Sequence, residues 1–304
     1  MSYLESVIGW NGAAMPARDG YIPGVPCWVD TAQPNPEAGV EFYGPLFGWE
    51  FENVMPPESE AEYFMARIRG RDVAAVGSIP EGAPQQAMWN TYVWTDSADE
   101  TASKVSTAGG NVVMEPFDVM DAGRMAVFTD PEGAMFCVWQ AGQNKGAQLV
   151  NEHGTVNFND LNTRDPDGAK SFYGSVFGWE TLELPGGFEM WTLPGYGDYL
   201  ERDNPQLREN MAQMDAPKGF EDVVASLVPI GDDQPGTPPH WNVTFAVDDA
   251  DAIADQATEL GGKVIVPPMD APWVRMTVIA DPQGATFTAS KFVAENRDLA
   301  QAAR

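Results

Sequence analysis

Basic residues are scarce in this 304-residue chain: 17 Lys and Arg stand against 45 Asp and Glu, a net charge of −28. Such a surface repels nucleic-acid phosphates and anionic lipid headgroups, which sets aside nucleic acids and membranes as partners. Cysteine is nearly missing. Cys27 and Cys137 are the only two, too few for a disulfide scaffold and in keeping with a reducing compartment. Histidine is equally rare, with His153 and His240 alone. No apolar run approaches the roughly 18 residues that a membrane span needs. The first five residues, Met1 to Glu5, lack the basic start of a signal peptide, so a cytoplasmic location is expected. Gly-rich phosphate loops, nucleophile elbows and paired-Cys zinc motifs are all missing. Asp130-Pro131-Glu132-Gly133 reads as a turn, because it lacks the spaced carboxylates of a calcium loop.

What the chain does have is an apolar content of 43%, with 10 Trp and 15 Phe, so it is globular. It also repeats itself. Phe42-Tyr43-Gly44 and Phe47-Gly48-Trp49-Glu50 recur as Phe172-Tyr173-Gly174 and Phe177-Gly178-Trp179-Glu180, and Asp30 aligns with Asp160. A second block pairs Trp89-Asn90 with Trp241-Asn242, Arg124-Met125 with Arg275-Met276, and Asp130-Pro131-x-Gly133-Ala134 with Asp281-Pro282-x-Gly284-Ala285. Two ordered blocks of this kind mark a tandem duplication. Within each half a short strand, a helix opened by Pro36 or Pro166 and stopped by Gly48 or Gly178, and three more strands form a unit that then recurs. The expected organisation is an N-terminal extension (1–23), a first domain (24–141), a linker (142–153), a second domain (154–292) with an insertion near 199–222, and a tail (293–304). Each half is long enough for a core of its own. Leu207, Met211 and Met214 predict a helix in the insertion, a candidate lid or a plain packing element.

Paired βαβββ units carrying FYxxxFGW and DPxGAxF resemble the vicinal oxygen chelate superfamily, the group of glyoxalase I, bleomycin-resistance proteins and extradiol dioxygenases. The likeness spans about 24–292 and is greatest to two-domain actinobacterial members described as glyoxalase-like or hydroxylase, which include a mycobacterial antigen. It implies an α+β fold: four βαβββ modules forming two U-shaped mixed sheets, helices on the outer faces, and a ligand cup in each half.

The resemblance also implies three metal-ligand positions per cup, on the first, fifth and last strands. Here those positions hold Trp28, Asn90 and Cys137, then Phe158, Asn242 and Thr288. Apart from Cys137 none is a usual ligand, so no metal and no cofactor is expected, with a divalent ion at a non-standard site left open. Alternation along strands points Asp30 and Asp160 into the cups, with Trp28, Asn90, Tyr92 and Trp139 in the first, and Phe158, Asn242, Thr244, Thr288 and His240 in the second. Arg124 and Arg275 are read as anchors beside the Asp residues. Trp89, Trp241 and an inert Cys137 are read as core.

The expected function is a glyoxalase-like small-molecule protein that binds or acts on a carbonyl or aromatic compound, in detoxification or secondary metabolism, without the usual metal triad. If it is an enzyme, a lyase or an oxidoreductase, the polar second cup is favoured, with Asp160, His240 and Arg275 as catalytic groups and Asp30 and Arg124 among the ligand-binding ones. Alternatives are a ligand-sequestering protein, a metal-dependent lyase or dioxygenase with a non-standard site, and a fold that has lost its chemistry. Two domains in one chain suit a monomer, with a homodimer as the alternative.

Overall fold

The computed structural model describes residues 17–184, 186–213 and 216–299. Met214, the first sixteen residues of the extension and the end of the tail lie outside them. The first half runs β1 (Pro26–Gln33), α1 (Pro36–Phe47), β2 (Glu50–Asn53), β3 (Tyr63–Ile68), β4 (Arg71–Ser78), β5 (Met88–Trp94), α2 (Ala98–Thr107), β6 (Asn111–Val119), β7 (Gly123–Thr129) and β8 (Met135–Ala141). The second runs β9 (Thr155–Thr163), α3 (Pro166–Phe177), β10 (Glu180–Leu184), β11 (Phe188–Thr192), α4 (Tyr196–Leu200), α5 (Leu207–Gln213), β12 (Val223–Pro229), β13 (His240–Ala246), α6 (Ala250–Glu259), β14 (Lys263–Ala271), β15 (Val274–Ala280) and β16 (Thr286–Phe292).

Local chemistry explains the helix ends. The Asn35 side chain accepts from the Ala38 amide and Asp165 does the same for Gly168, each followed by a proline in the first turn. Gly48 and Gly178 close the helices at φ 69° and 73°, a left-handed conformation that favours glycine. The sheets have matching orders, β2-β3-β4-β1-β5-β8-β7-β6 and β10-β11-β12-β9-β13-β16-β15-β14. In each, the two modules join where their first strands run antiparallel, β1 with β5 and β9 with β13. The chain is therefore four βαβββ modules in two mixed sheets.

The halves do not keep separate cores, contrary to the expectation from their length. One core joins Tyr43, Phe47, Trp49 and Trp89 of the first half to Phe245 and Phe287 of the second. The other joins Phe128 and Phe136 to Phe172, Tyr173, Trp179 and Trp241. Helix α1 packs on α6 and α2 on α3, so the helical faces of the two sheets meet. The repeat motifs are the clasp. Tyr43 Oη donates to Asp281 Oδ2 (2.9 Å) and accepts from Trp89 Nε1 (3.1 Å), while Tyr173 Oη donates to Asp130 Oδ2 (3.1 Å) and accepts from Trp241 Nε1 (2.9 Å). Trp49 Nε1 donates to Gly154 O (2.8 Å), and Trp179 Nε1 to Gly24 O (2.7 Å). Each buried bond contributes about 1 kcal/mol net, and each crossing leaves a costly orphan if broken.

The insertion forms two short helices, not one. Arg208 holds them, donating to Asp198 Oδ1 (2.7 Å) and Glu221 Oε1 (3.1 Å) and pairing with Glu201. Tyr196 Oη accepts from Arg18 Nη1 at 3.0 Å, which ties the insertion to the segment before β1. Among the described residues no helix is long and apolar enough to cross a membrane.

Candidate functional site

Each sheet's concave face is set by register. Asp30 lies opposite Asn90 and Trp28 opposite Tyr92, and in the second half Asp160 lies opposite Asn242 and Phe158 opposite Thr244. Tyr92 pairs with Cys137 and Thr244 with Thr288 on the last strands. Side chains two apart share a face, so each Asp sits on the floor of a cup.

In the first cup Asp30 is sealed. Its Oδ1 accepts from Asn90 Nδ2 (2.8 Å), and its Oδ2 from Tyr92 Oη (2.8 Å) and Tyr63 Oη (2.9 Å). Tyr63 Oη in turn accepts from Trp28 Nε1 at 3.0 Å. The carboxylate is only 6% exposed. Burial pushes its pKa above the usual carboxylate value, and the Asn90, Tyr92 and Tyr63 donors pull it back. Trp28, Met65, Tyr92, Cys137 and Trp139 all belong to the buried core, so this cup is filled by its own side chains. Burial, with Asp30 nearby, pushes the Cys137 thiol up, which makes it inert. Two glycines make the filling fit. A Cβ at Gly77 would stand 2.8 Å from the Tyr63 ring, and one at Gly123 would stand 2.5 Å from the Trp139 ring.

The second cup keeps the floor and loses the filling. Asp160 Oδ2 accepts from Thr244 Oγ1 (2.6 Å) and Asn242 Nδ2 (3.1 Å), its Oδ1 accepts from Ser226 Oγ, and Asn242 also donates to Thr288 Oγ1 (3.0 Å). Asp160, Asn242 and Ser226 are only half-buried. Here too burial raises the carboxyl pKa, while Ser226, Thr244, Asn242 and the charge of His240 lower it. By register, Thr244 replaces Tyr92, Thr288 replaces Cys137, and Ser290, opposite Met276 as Trp139 is opposite Met125, replaces Trp139. Phe188 and Val228 stand where Tyr63 and Gly77 stand in the first half, and Val274 stands where Gly123 does. His240 lies two residues before Asn242 on the same face, and its Nδ1 is 2.9 Å from Pro238 O. A carbonyl only accepts, so Nδ1 carries a proton and Nε2 is the ring nitrogen left for a ligand.

Tyr63 and Ser226 complete the two Asp networks and were not read from the sequence. Arg124 and Arg275 need correction: neither enters a cup. Alternation along β7 and β15 turns them, with Ala126, Phe128, Thr277 and Ile279, toward the helices. Arg124 grips Asp99 through Nε and Nη2 (2.9 and 3.0 Å) and Asp118 through Nη1 (3.0 Å). Arg275 grips Asp251 and Asp270 in the same way. The two histidines do not meet either: His153 Nδ1 accepts from the Asp248 amide at 3.1 Å. Elsewhere, a crevice of about 370 Å³ between α2 and α3 is lined by Thr95, Thr101, Lys104 and the last turn of α3. The matching α1–α6 junction is closed by Gln256 Nε2 donating to Pro45 O (2.8 Å). That crevice has no carboxylate or imidazole in its lining, so the cups remain the better place for chemistry.

This fold and these paired cups define a class. The Glyoxalase/Bleomycin resistance protein/Dioxygenase superfamily model matches residues 28–138 and 155–288, and the chain belongs to that superfamily. It is 40% identical over 282 residues to CFP32 of Mycobacterium tuberculosis and Mycobacterium bovis, which carries a provisional glyoxylase name; the match covers 91% of this chain and 98% of the relative. It is 34% identical over 285 residues to the anthracycline biosynthesis protein DnrV of Streptomyces peucetius, covering 88% and 93%. Among solved structures, the Mn(II)-bound glyoxalase of Novosphingobium aromaticivorans shares the fold at a TM-score of 0.55 and 17% identity, covering 88% of this chain and 83% of that one. At the positions read above as ligand sites, the side chains are otherwise engaged. Asn242 and Thr288 bond each other, and Phe158 and Trp28 offer no lone pair of use. Cys137 is buried beside Asp30, and among the described residues no three His, Cys, Asp or Glu side chains gather at metal distance.

Proposed function

We propose that the second cup is the working site of a glyoxalase-like enzyme that binds a small carbonyl or aromatic compound and moves a proton on it without the family's three-ligand metal site. Asp160 is the general base and His240, through Nε2, the acid or base beside it. The observation that carries this reading is the contrast in access: Asp160, with Asn242 and Ser226, is partly exposed, whereas Asp30 is only 6% exposed. A raised carboxyl pKa makes the base stronger. The glyoxylase name of CFP32 and the biosynthetic role named for DnrV support a small-molecule substrate. The reading calls for no cofactor.

Hydroxyketones and dicarbonyls incubated with the protein in D₂O test it, with loss of the α-proton NMR signal as readout. Exchange should stop in Asp160→Asn with little change in Tm. Activity that tracks stoichiometric bound metal would overturn the metal-free reading. A second reading, sequestration without turnover, is favoured by the three donors that already hold Asp160. Ligand-induced stabilisation with no exchange and no consumption would select it.

A further inference from the structure

The second cup is polar only at its floor. Its walls are apolar and wet. On one side Met190 lies opposite Ser226, and Phe188 and Val228 continue that face at 47% and 39% exposure. On the other, Met269 faces Met276 in register, with Met269 at 47% exposure. Exposed large apolar side chains gathered on one concave face mark a place where another apolar surface sits. Methionine walls adapt to the shape of what they hold. In the first half, the positions of Phe188 and Thr244 carry Tyr63 and Tyr92, which fill the space themselves.

Among the described residues the floor holds a single carboxylate and no guanidinium, and the His240 imidazole stands on the same face. Asp160 is the carboxylate there, and Arg275 is turned away and held by Asp251 and Asp270. An anionic head would meet a carboxylate inside a chain of net charge −28. A head that donates a hydrogen bond would meet an acceptor. A carboxylate has about four lone-pair sites, and Asp160 receives Asn242 and Thr244 on Oδ2 but Ser226 alone on Oδ1. One acceptor position on Oδ1 is therefore open to a ligand.

We infer that the second cup selects a molecule with an apolar body and a neutral or cationic hydrogen-bond-donating head, an alcohol, phenol or amine, and rejects carboxylates of the same shape. The body lies between the Met190–Phe188 and Met269–Met276 walls and the head reaches Asp160. This rests on the second cup being the working site, but it concerns recognition and not turnover.

Calorimetric titration near neutral pH with 2-phenylethanol, 2-phenylethylamine, phenylacetate and ethylbenzene tests it on the full chain. The alcohol and amine should bind at least about tenfold more tightly than phenylacetate, the size of one charge-assisted hydrogen bond gained or one repulsion avoided. Asp160→Asn should erase that preference by weakening the amine and strengthening phenylacetate. Thr244→Tyr, which places in the second cup the residue that fills the first, should abolish binding of all four while Tm holds. Phenylacetate binding as tightly as the amine, no binding by any probe, or unchanged affinities in Thr244→Tyr would each overturn the inference. Proton exchange is read separately. Head-group selectivity without exchange sinks the catalytic reading alone, and exchange without selectivity sinks this inference alone.

Discussion

Asp30 and Asp160 occupy the same place in two copies of one module pair, yet they live in different surroundings. Around Asp30 the neighbours are two tyrosines, an asparagine and a tryptophan indole; around Asp160 they are serine, threonine and asparagine. The floor is the same and the filling differs. A buried carboxylate is thus a property of the duplicated scaffold, while access to it is decided by a few residues on neighbouring strands. Where glycine at positions 77 and 123 lets large rings lie down, the cup becomes core. Where Val228 and Val274 stand instead, the Phe188 ring is 47% exposed, Ser290 takes the place of Trp139, and Asp160 stays partly exposed.

Exchanging the fillings should break this contrast. Tyr92→Thr should destabilise the protein by about 2–4 kcal/mol, because it empties a packed site and strips Asp30 of a donor. Its mirror image, Thr244→Tyr, should cost less, about 1 kcal/mol, since Ser290 stands where the first cup packs the Trp139 ring. Equal losses in denaturant melts would mean that the cups are equally full. Next, Asp30→Ala should cost about 2–4 kcal/mol by orphaning buried donors, against about 1 kcal/mol for Asp160→Ala. Gly77→Val should cost about 1–3 kcal/mol by evicting the Tyr63 ring, and a fluorescence change from Trp28 would report the eviction.

The pH dependence is a smaller effect and has two signs. Burial raises Asp30 and Asp160 above the ordinary value of 3.8. Their stabilising contribution is therefore fully present below that value and is lost as pH rises through the folded-state pKa. Asp30→Asn should flatten that part of a Tm-against-pH curve. Asp99 and Asp251, lowered by Arg124 and Arg275, act oppositely: their contribution is present above 3.8 and is lost as pH falls below it. Smallest of all, Arg275→Ala should leave ligand affinity untouched, and a large loss in titration would return that side chain to the site.

Much of the scaffold was legible. Pro36 and Pro166, Gly48 and Gly178, and the WN and DPxGA blocks set element ends by local chemistry, and alternation alone brought Asp30, Asn90 and Tyr92 to one face. What escaped depends on register between strands distant in sequence. Tyr63 and Ser226 reach their Asp partners from β3 and β12, where register shifts break simple counting. Arg124 and Arg275 follow the same alternation along β7 and β15, which puts them on the helix-facing side, opposite the cups. One signal was visible and unread: Gly77 and Gly123 align with valines in the other half, which marks where something large lies close. The clasp was beyond reach, since no local pattern says that Tyr43 will find Asp281.

That clasp has a consequence for how the two copies can diverge. Its parts are the same in both halves, a tyrosine, a tryptophan pair and a turn aspartate, and each set is completed by the other copy. Neither copy can drift far at those positions without unseating its twin, so variation is pushed to the opposite faces of the sheets, where the cups lie. There one copy is free to harden into ballast while the other stays open to selection for new cargo.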